Sequence, residues 1–159
     1  MKIKVGLGYD IHAFADNRKC ILGGVDVPHT QGLLGHSDAD VVLHAVADSL
    51  LGALGKGDIG EHFPNTDEKY KDISSVLLLD EVYRLLIEEG FEISNLDIMI
   101  QAEVPKINPY KNQMRSRIAE VLHLDISDVN IKATTQEGLG SLGNKEGVAA
   151  YASVLIYKK

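Results

Sequence analysis

Apolar and polar positions alternate without a break at the start of the chain. In "KIKVGLGYDIHAF", Ile3, Val5, Leu7, Tyr9 and Ile11 are apolar, while Lys2, Lys4, Gly6, Gly8, Asp10 and His12 are polar or small. A period of two predicts a strand with one buried face. The apolar set is expected on the core side, which puts Asp10 and His12 together on the opposite, free face. "CILGGVDVP" predicts a short second strand, with Gly23-Gly24 marking a bulge or turn within it. "SDADVVLHAVADSLLGALG" predicts a helix whose apolar stripe is Val42, Leu43, Val46, Leu50 and Leu54. Ser37 suits its N-cap, and Asp40 completes a capping-box pattern. Residues 55–72 are polar and glycine-rich and predict a long loop of the functional or mobile kind. "ISSVLLLDEVYRLLIEEG" predicts a second helix with Gly90 at C′. In "NLDIMIQAEVP", Leu96, Ile98, Ile100, Ala102 and Val104 share one strand face. "NPYKNQMRSRIAEVLHL" predicts a helix with Asn108 as N-cap and Pro109 at its first position. "DVNIKATTQEG" is a strand running into a polar turn, and "GVAAYASVLIYKK", apolar on both faces, is a central or interface strand. There is no repeat and no linker. The pattern is α+β: a single domain over residues 1–159, a mixed β-sheet with helices packed on one face.

Composition and charge narrow the function classes. A net charge of −7 argues against broad nucleic-acid or anionic-membrane binding. No apolar run is long enough to cross a membrane. The single cysteine, Cys20, cannot form an internal disulfide, so a reducing compartment is expected. The chain enters its first strand with no signal or transit segment, which makes the cytoplasm the expected location.

Several residues offer chemistry. Asp10 and His12 share a strand face, and His36, Asp40 and His44 follow at intervals of four along the predicted helix. Asp10, His12 and His44 form an oxygen–nitrogen–nitrogen set, the three-ligand pattern with which zinc keeps a fourth position open. The same spacing also fits an exposed strand pair and a bystander histidine, and Asp40 fits a capping acid. His29, His62 and His123 are assigned to the surface. His36 and Ser37 stand at a helix N-terminus, where free N–H groups favour an anion. Thr134 and Thr135 end a strand with two hydroxyls, Glu137 offers oxygen to a hard cation such as magnesium, and Lys106 follows Pro105 in a rigid turn. Each has a plain structural explanation; together they suit a diphosphate substrate.

"GYDIHAF", "GGVDVPHTQGLLGHSDADVVLHAVADSLLGALGKGDIGEHFPNTD" and "DVNIKATTQEGLG" resemble the 2-C-methyl-D-erythritol 2,4-cyclodiphosphate synthases, in order and essentially end to end. The resemblance implies a lyase of the non-mevalonate isoprenoid route. It implies a homotrimer with its sheets facing the trimer axis and its active sites between neighbouring subunits. The implied substrate is a cytidine diphosphate-linked small molecule, 4-diphosphocytidyl-2-C-methyl-D-erythritol 2-phosphate. Its 2-phosphate attacks the β-phosphorus, a cyclic diphosphate forms and CMP leaves.

Carried over by position, Asp10, His12 and His44 match the ligands of one zinc, or other divalent transition metal, per subunit, and the Asp10–Ile11–His12 stretch also touches substrate. His36 and Ser37 match residues at the methylerythritol phosphate, with His36 and Thr135 stabilising the transition state. Asp58, Ile59 and Gly60 match the segment at the ribose and substrate, and Phe63, Pro64, Asn65, Thr66 and Asp67 the neighbouring loop. Ala102, Glu103, Val104, Pro105, Lys106, Ile107 and Asn108 match the cytidine pocket. Thr134, Thr135 and Gln136 match the phosphate-binding segment, and Glu137 the ligand of a magnesium or manganese ion on the substrate diphosphate. Ser141 and Asn144 depart from the family's aromatic residue and arginine, with Lys145 beside them, so a prenyl diphosphate at the trimer axis is not carried over. Gln136 stands for a third threonine and Asn108 for an apolar residue, both in segments where backbone groups can bind. Two other readings fit the same residues: a zinc hydrolase of nucleotide diphosphates, and a non-catalytic metal- or nucleotide-binding trimer. The presence of His36, Thr135 and Glu137 beside the triad favours the synthase.

Overall fold

The first strand, β1 (Lys2–Ala15), forms where the alternation predicts it, but with its faces reversed. In the computed structural model, which describes Met1–Lys159, the apolar residues Ile3, Val5, Leu7, Tyr9 and Ile11 are 44 to 70 % exposed. Lys4, Gly6, Gly8, Asp10 and His12 instead face the helix layer. Helix α1 (Val41–Leu54) lies directly on the two glycines. A methyl group at Gly6 would run into the Ser49 carbonyl, and one at Gly8 into the Ala45 carbonyl. Asp10 and His12 therefore emerge on the core side, beside the start of α1, and not on a free face. The period of two distinguishes the faces of a strand but does not say which one the chain's own helices cover.

The remaining strands are β2 (Cys20–Leu22), β3 (Val25–Val27), β4 (Gly32–Leu33), β5 (Glu92–Gln101), β6 (Val129–Thr134) and β7 (Gly147–Lys158). The main sheet has the order β4-β1-β7-β5-β6, with β5 and β6 parallel and the other neighbours antiparallel. The sheet is thus mixed, in a single α+β domain. The last strand is central, as its two apolar faces predict, and buries Val148, Ala150, Ala152, Val154 and Ile156 toward the helices. The predicted second strand is two, β2 and β3, joined by a two-residue hairpin in which Gly23 and Gly24 take φ of 58° and 72°.

Helix α1 starts at Val41, so Ser37 lies outside it and Asp40 is the N-cap. Asp40 is fully buried. Its carboxylate accepts from Val42 and Leu43 N–H at 3.1 Å, and from Gly23 and Gly24 N–H at 2.9 and 2.6 Å. One side chain closes the helix and fastens the hairpin to it. His36 and Asp40 consequently do not stack with His44 on a helix face. Twelve of the fourteen residues of α1 are buried, so it is enclosed all round where a stripe is predicted. The sheet covers one side, and α3 (Ser75–Glu88) packs on it from the helix layer.

Residues 55–72 hold the short helix α2 (Ile59–His62) and a 3-10 turn (Glu68–Tyr70), capped by Asp58 and Asp67. Buried Phe63 and Tyr70 meet edge to face at 5.3 Å and anchor the segment. α3 ends with Gly90 at φ 75°, as predicted. Helix α4 (Lys111–Val121) begins later than predicted, because Asn108–Tyr110 forms a 3-10 turn. Asn108 does not cap it; its Oδ1 accepts from Lys111 Nζ at 3.3 Å. A last helical turn, α5 (Gly140–Gly143), precedes β7. Cys20 is buried and unpaired, and burial pushes its thiol up to about 11. No helix is long and apolar enough to cross a membrane.

Candidate metal centre and the clefts beside it

The end of β1 and the first turn of α1 bring Asp10, His12 and His44 together. Asp10 Oδ2 lies 2.8 Å from His12 Nε2 and 3.0 Å from His44 Nδ1, and the two ring nitrogens are 3.3 Å apart. A tetrahedral ion with bonds of about 2.0–2.1 Å sets its ligands about 3.3 Å apart, so these atoms outline one face of such a site. The donor set, one carboxylate and two imidazoles, is that of a divalent transition metal.

Each ring is also held from its far side. His12 Nδ1 donates to the Leu34 carbonyl at 2.7 Å, which leaves the Nε2 lone pair facing the centre. His44 Nε2 lies 2.9 Å from Ser75 Oγ and 3.2 Å from Ser37 Oγ. Burial alone would raise the Asp10 carboxyl, but hydrogen bonds from the two histidines outweigh it and hold it at about 2. Burial opposes the charged form of His12, yet the hydrogen bond and charge of Asp10, with the Leu34 carbonyl, raise its pKa. A proton and a metal compete for that nitrogen. Because the pKa is raised, protons win at a higher pH than at an ordinary imidazole. The apparent zinc affinity is expected to be falling already at about pH 6.5, and by at least about tenfold for each unit below, since His12 alone accounts for one competing proton. A chelator-competition series across pH checks this; an affinity flat down to pH 5.5 would refute it.

The triad opens into a cleft of about 360 Å³ whose wall includes His36, Ser37, Ile59, Gly60, Phe63 and Asn65. His36 Nε2 is 3.0 Å from the Asp67 carbonyl, and the Arg18 guanidinium donates to the carbonyls of Gly35 and Ser37 at 3.2 and 2.6 Å. Asp48, one turn after His44, accepts from Ile59 N–H at 2.8 Å and ties α2 to α1. Asp58 and Asp67 serve as caps near the cleft, while Pro64 and Thr66 are exposed on the same loop. The Ile11 side chain is on the other face of β1, in a shallow depression with Tyr151 and Leu139.

The other predicted residues gather elsewhere. A second cleft of about 380 Å³ opens where β5 and β6 end, between Ala102, Glu103, Pro105, Lys106, Ile107 and Asn108 on one side and Thr134 and Thr135 on the other. Glu103 accepts from Gln136 N–H at 2.8 Å, and Thr135 Oγ1 from Glu137 N–H at 3.2 Å. Val104 is not among its lining residues, and Glu137 stands exposed on the turn after β6. The two clefts share no residue.

Sequence reasoning missed Ser75, Leu34, Arg18 and Asp48. Nothing in a one-dimensional pattern marks a helix-start serine, or a backbone carbonyl, as the partner of a histidine more than twenty residues away.

The YgbB family model matches residues 3–157. The 2-C-methyl-D-erythritol 2,4-cyclodiphosphate synthase of Clostridioides difficile (strain 630) is 54 % identical over 154 residues, covering 97 % of this chain and 96 % of that one. The bifunctional IspDF from Campylobacter jejuni superposes with a TM-score of 0.96 at 46 % identity; the match covers 99 % of this chain and 43 % of that longer one. The IspF of Plasmodium falciparum, solved as a CDP complex, gives 0.87 at 35 % identity, covering 99 % and 97 %. Sequence and fold thus agree over nearly the full length, and the chain belongs to the YgbB family of 2-C-methyl-D-erythritol 2,4-cyclodiphosphate synthases.

Proposed function

We propose that this enzyme converts 4-diphosphocytidyl-2-C-methyl-D-erythritol 2-phosphate to 2-C-methyl-D-erythritol 2,4-cyclodiphosphate and CMP, in the non-mevalonate route to isoprenoids. The observation that carries the reading is the convergence of Asp10, His12 and His44 at a cleft walled by His36 and Ser37. An oxygen of the 2-phosphate forms a bond to the β-phosphorus. The bond from that phosphorus to the α,β-bridging oxygen breaks, and its electron pair leaves with CMP. The nucleophile is already an anion, so the site needs positioning and charge stabilisation, with no strong base. Asp10, His12 and His44 would hold zinc or a similar divalent ion, which would supply Lewis-acid chemistry at the phosphate.

His36, oriented through Asp67, and the buried Ser37 hydroxyl hold the methylerythritol phosphate. Ile59 and Gly60, tied to α1 through Asp48, lie within reach of the sugar. In the second cleft the Ala102–Asn108 segment takes the cytidine, Lys106 its phosphates, and Thr134 and Thr135 the diphosphate, with Thr135 and His36 stabilising the transition state. Glu137 would offer its carboxylate to the magnesium or manganese that accompanies the diphosphate. The family resemblance implies that one chain supplies the metal cleft and its neighbour the nucleotide cleft, and two clefts that share no residue are compatible with that. The open apolar face of β1 gives that neighbour a surface to cover, and a homotrimer with these faces toward its axis satisfies both. The buried Cys20 thiol suits a reducing cytoplasm.

Phosphorus NMR of purified protein with this substrate, zinc and magnesium tests the reading. The expected products are a cyclic diphosphate and CMP, both lost on chelation. CMP with an open-chain bisphosphate would make water the nucleophile and replace the synthase reading with a hydrolase.

A further inference from the structure

We propose that Ser75 and Asp38 are positioning residues that set the proton on His44 and so aim its Nδ1 at the metal. The assignment rests on the metal reading of the triad. Ser75, 1 % exposed at the start of α3, donates its hydroxyl proton to Asp38 Oδ1 at 2.5 Å, the range of a charge-assisted O–H to carboxylate bond. Asp38 is itself fixed: Oδ2 accepts from Ser75 N–H at 3.0 Å and Oδ1 from Asp40 N–H at 3.1 Å. A carboxylate only accepts, and a serine hydroxyl has one proton. With that proton committed to Asp38, Ser75 Oγ has only acceptor capacity for His44 Nε2, 2.9 Å away. The contact is a hydrogen bond only if Nε2 carries the proton. Nδ1 then keeps its lone pair, toward Asp10 and His12.

Ser37 Oγ, at 3.2 Å from the same nitrogen and already accepting from Ala39 N–H, is a longer second acceptor. The carboxylate–serine–histidine chain does for His44 what the Leu34 carbonyl does for His12. It also joins the metal cleft to its wall. The segment carrying His36 and Ser37 is stitched to the approach to α3 by Asp38 N–H to the Ile73 carbonyl at 3.0 Å and Asp72 N–H to the His36 carbonyl at 2.8 Å. Ser74, not Ser75, caps α3, so the Ser75 hydroxyl is free of that duty and serves Asp38 and the imidazole.

The test is zinc affinity by chelator competition in wild type, Ser75→Ala, Asp38→Asn and the double variant, with thermal unfolding alongside. Each single variant is expected to bind zinc about 10–100-fold more weakly while remaining folded, Ser37 preventing a complete loss. The double variant is expected to be no weaker than the worse single one, since both act through one nitrogen. The visible spectrum of the cobalt-loaded protein is expected to change in both variants. Wild-type affinity in folded Ser75→Ala, or additive losses in the double variant, would overturn the assignment. Should Ser75→Ala not fold, Asp38→Asn, which keeps the side-chain shape, is read alone: weakened zinc binding in the folded protein supports the assignment, and wild-type affinity overturns it. A wild-type protein that takes no zinc overturns the metal reading together with this assignment. One that binds zinc tightly but makes no cyclic product refutes the reaction alone, and the weakened variants still support the relay.

Discussion

His44→Ala will leave a folded chain with no useful turnover. The imidazole is one of three candidate ligands and the only one contributed by α1, so its loss opens the proposed centre on the helix side. An ion beside a phosphoryl group is worth several kcal/mol of transition-state stabilisation, and each 1.36 kcal/mol is tenfold in rate. The expected fall in cyclic-diphosphate formation is therefore about three orders of magnitude or more, with zinc content falling in parallel. The check is product formation by phosphorus NMR beside metal analysis and circular dichroism. Wild-type turnover in a folded His44→Ala protein would remove the triad from the mechanism.

Gly8→Ala will destabilise the chain strongly, although it adds a single methyl group. That methyl has no room between β1 and α1, where it meets the Ala45 carbonyl and the Ser49 backbone nitrogen. Overpacking against mobile side chains costs about 1–3 kcal/mol. Here the obstacle is the backbone of a helix buried on all sides, so about 3 kcal/mol or more is expected. Urea unfolding of Gly8→Ala against wild type measures it. A shift under about 1 kcal/mol would mean that α1 does not rest on the strand as described.

The long strands were legible from their period, and the long helices from their apolar content and end signals. The alternation of β1, the doubly apolar β7 and the Gly90 terminus of α3 all form where the residues predict. The orientation of β1 was not legible: its exposed side is apolar, and its packed side is glycine followed by two site residues. Nothing local states that small residues mark the tighter contact. Asp40 was read as a member of a capping box because its tie to the Gly23–Gly24 hairpin spans more than a dozen residues. The Asp10, His12 and His44 set was visible as residue types, but their convergence depends on how closely α1 approaches β1. The two clefts, and the Asp38–Ser75 contact behind His44, belong to tertiary structure and leave no periodic trace.

The glycine pair on β1 also guards against misfolding. Along β7, Gly6, Gly8 and Asp10 sit opposite Val154, Ala152 and Ala150. A slip of one residue would turn Ile11 toward the metal site and drive Leu7 or Tyr9 against the backbone of α1. A slip of two residues keeps the faces but moves Asp10 to the place of Gly8, or Lys4 to the place of Gly6. Neither side chain fits there. Misaligned pairings, the usual hazard of a long regular strand, therefore cannot close their helix layer. Proofreading of strand alignment and placement of the candidate metal ligands are thus enforced by the same few residues. Any chain that completes its core has Asp10 and His12 in their working positions.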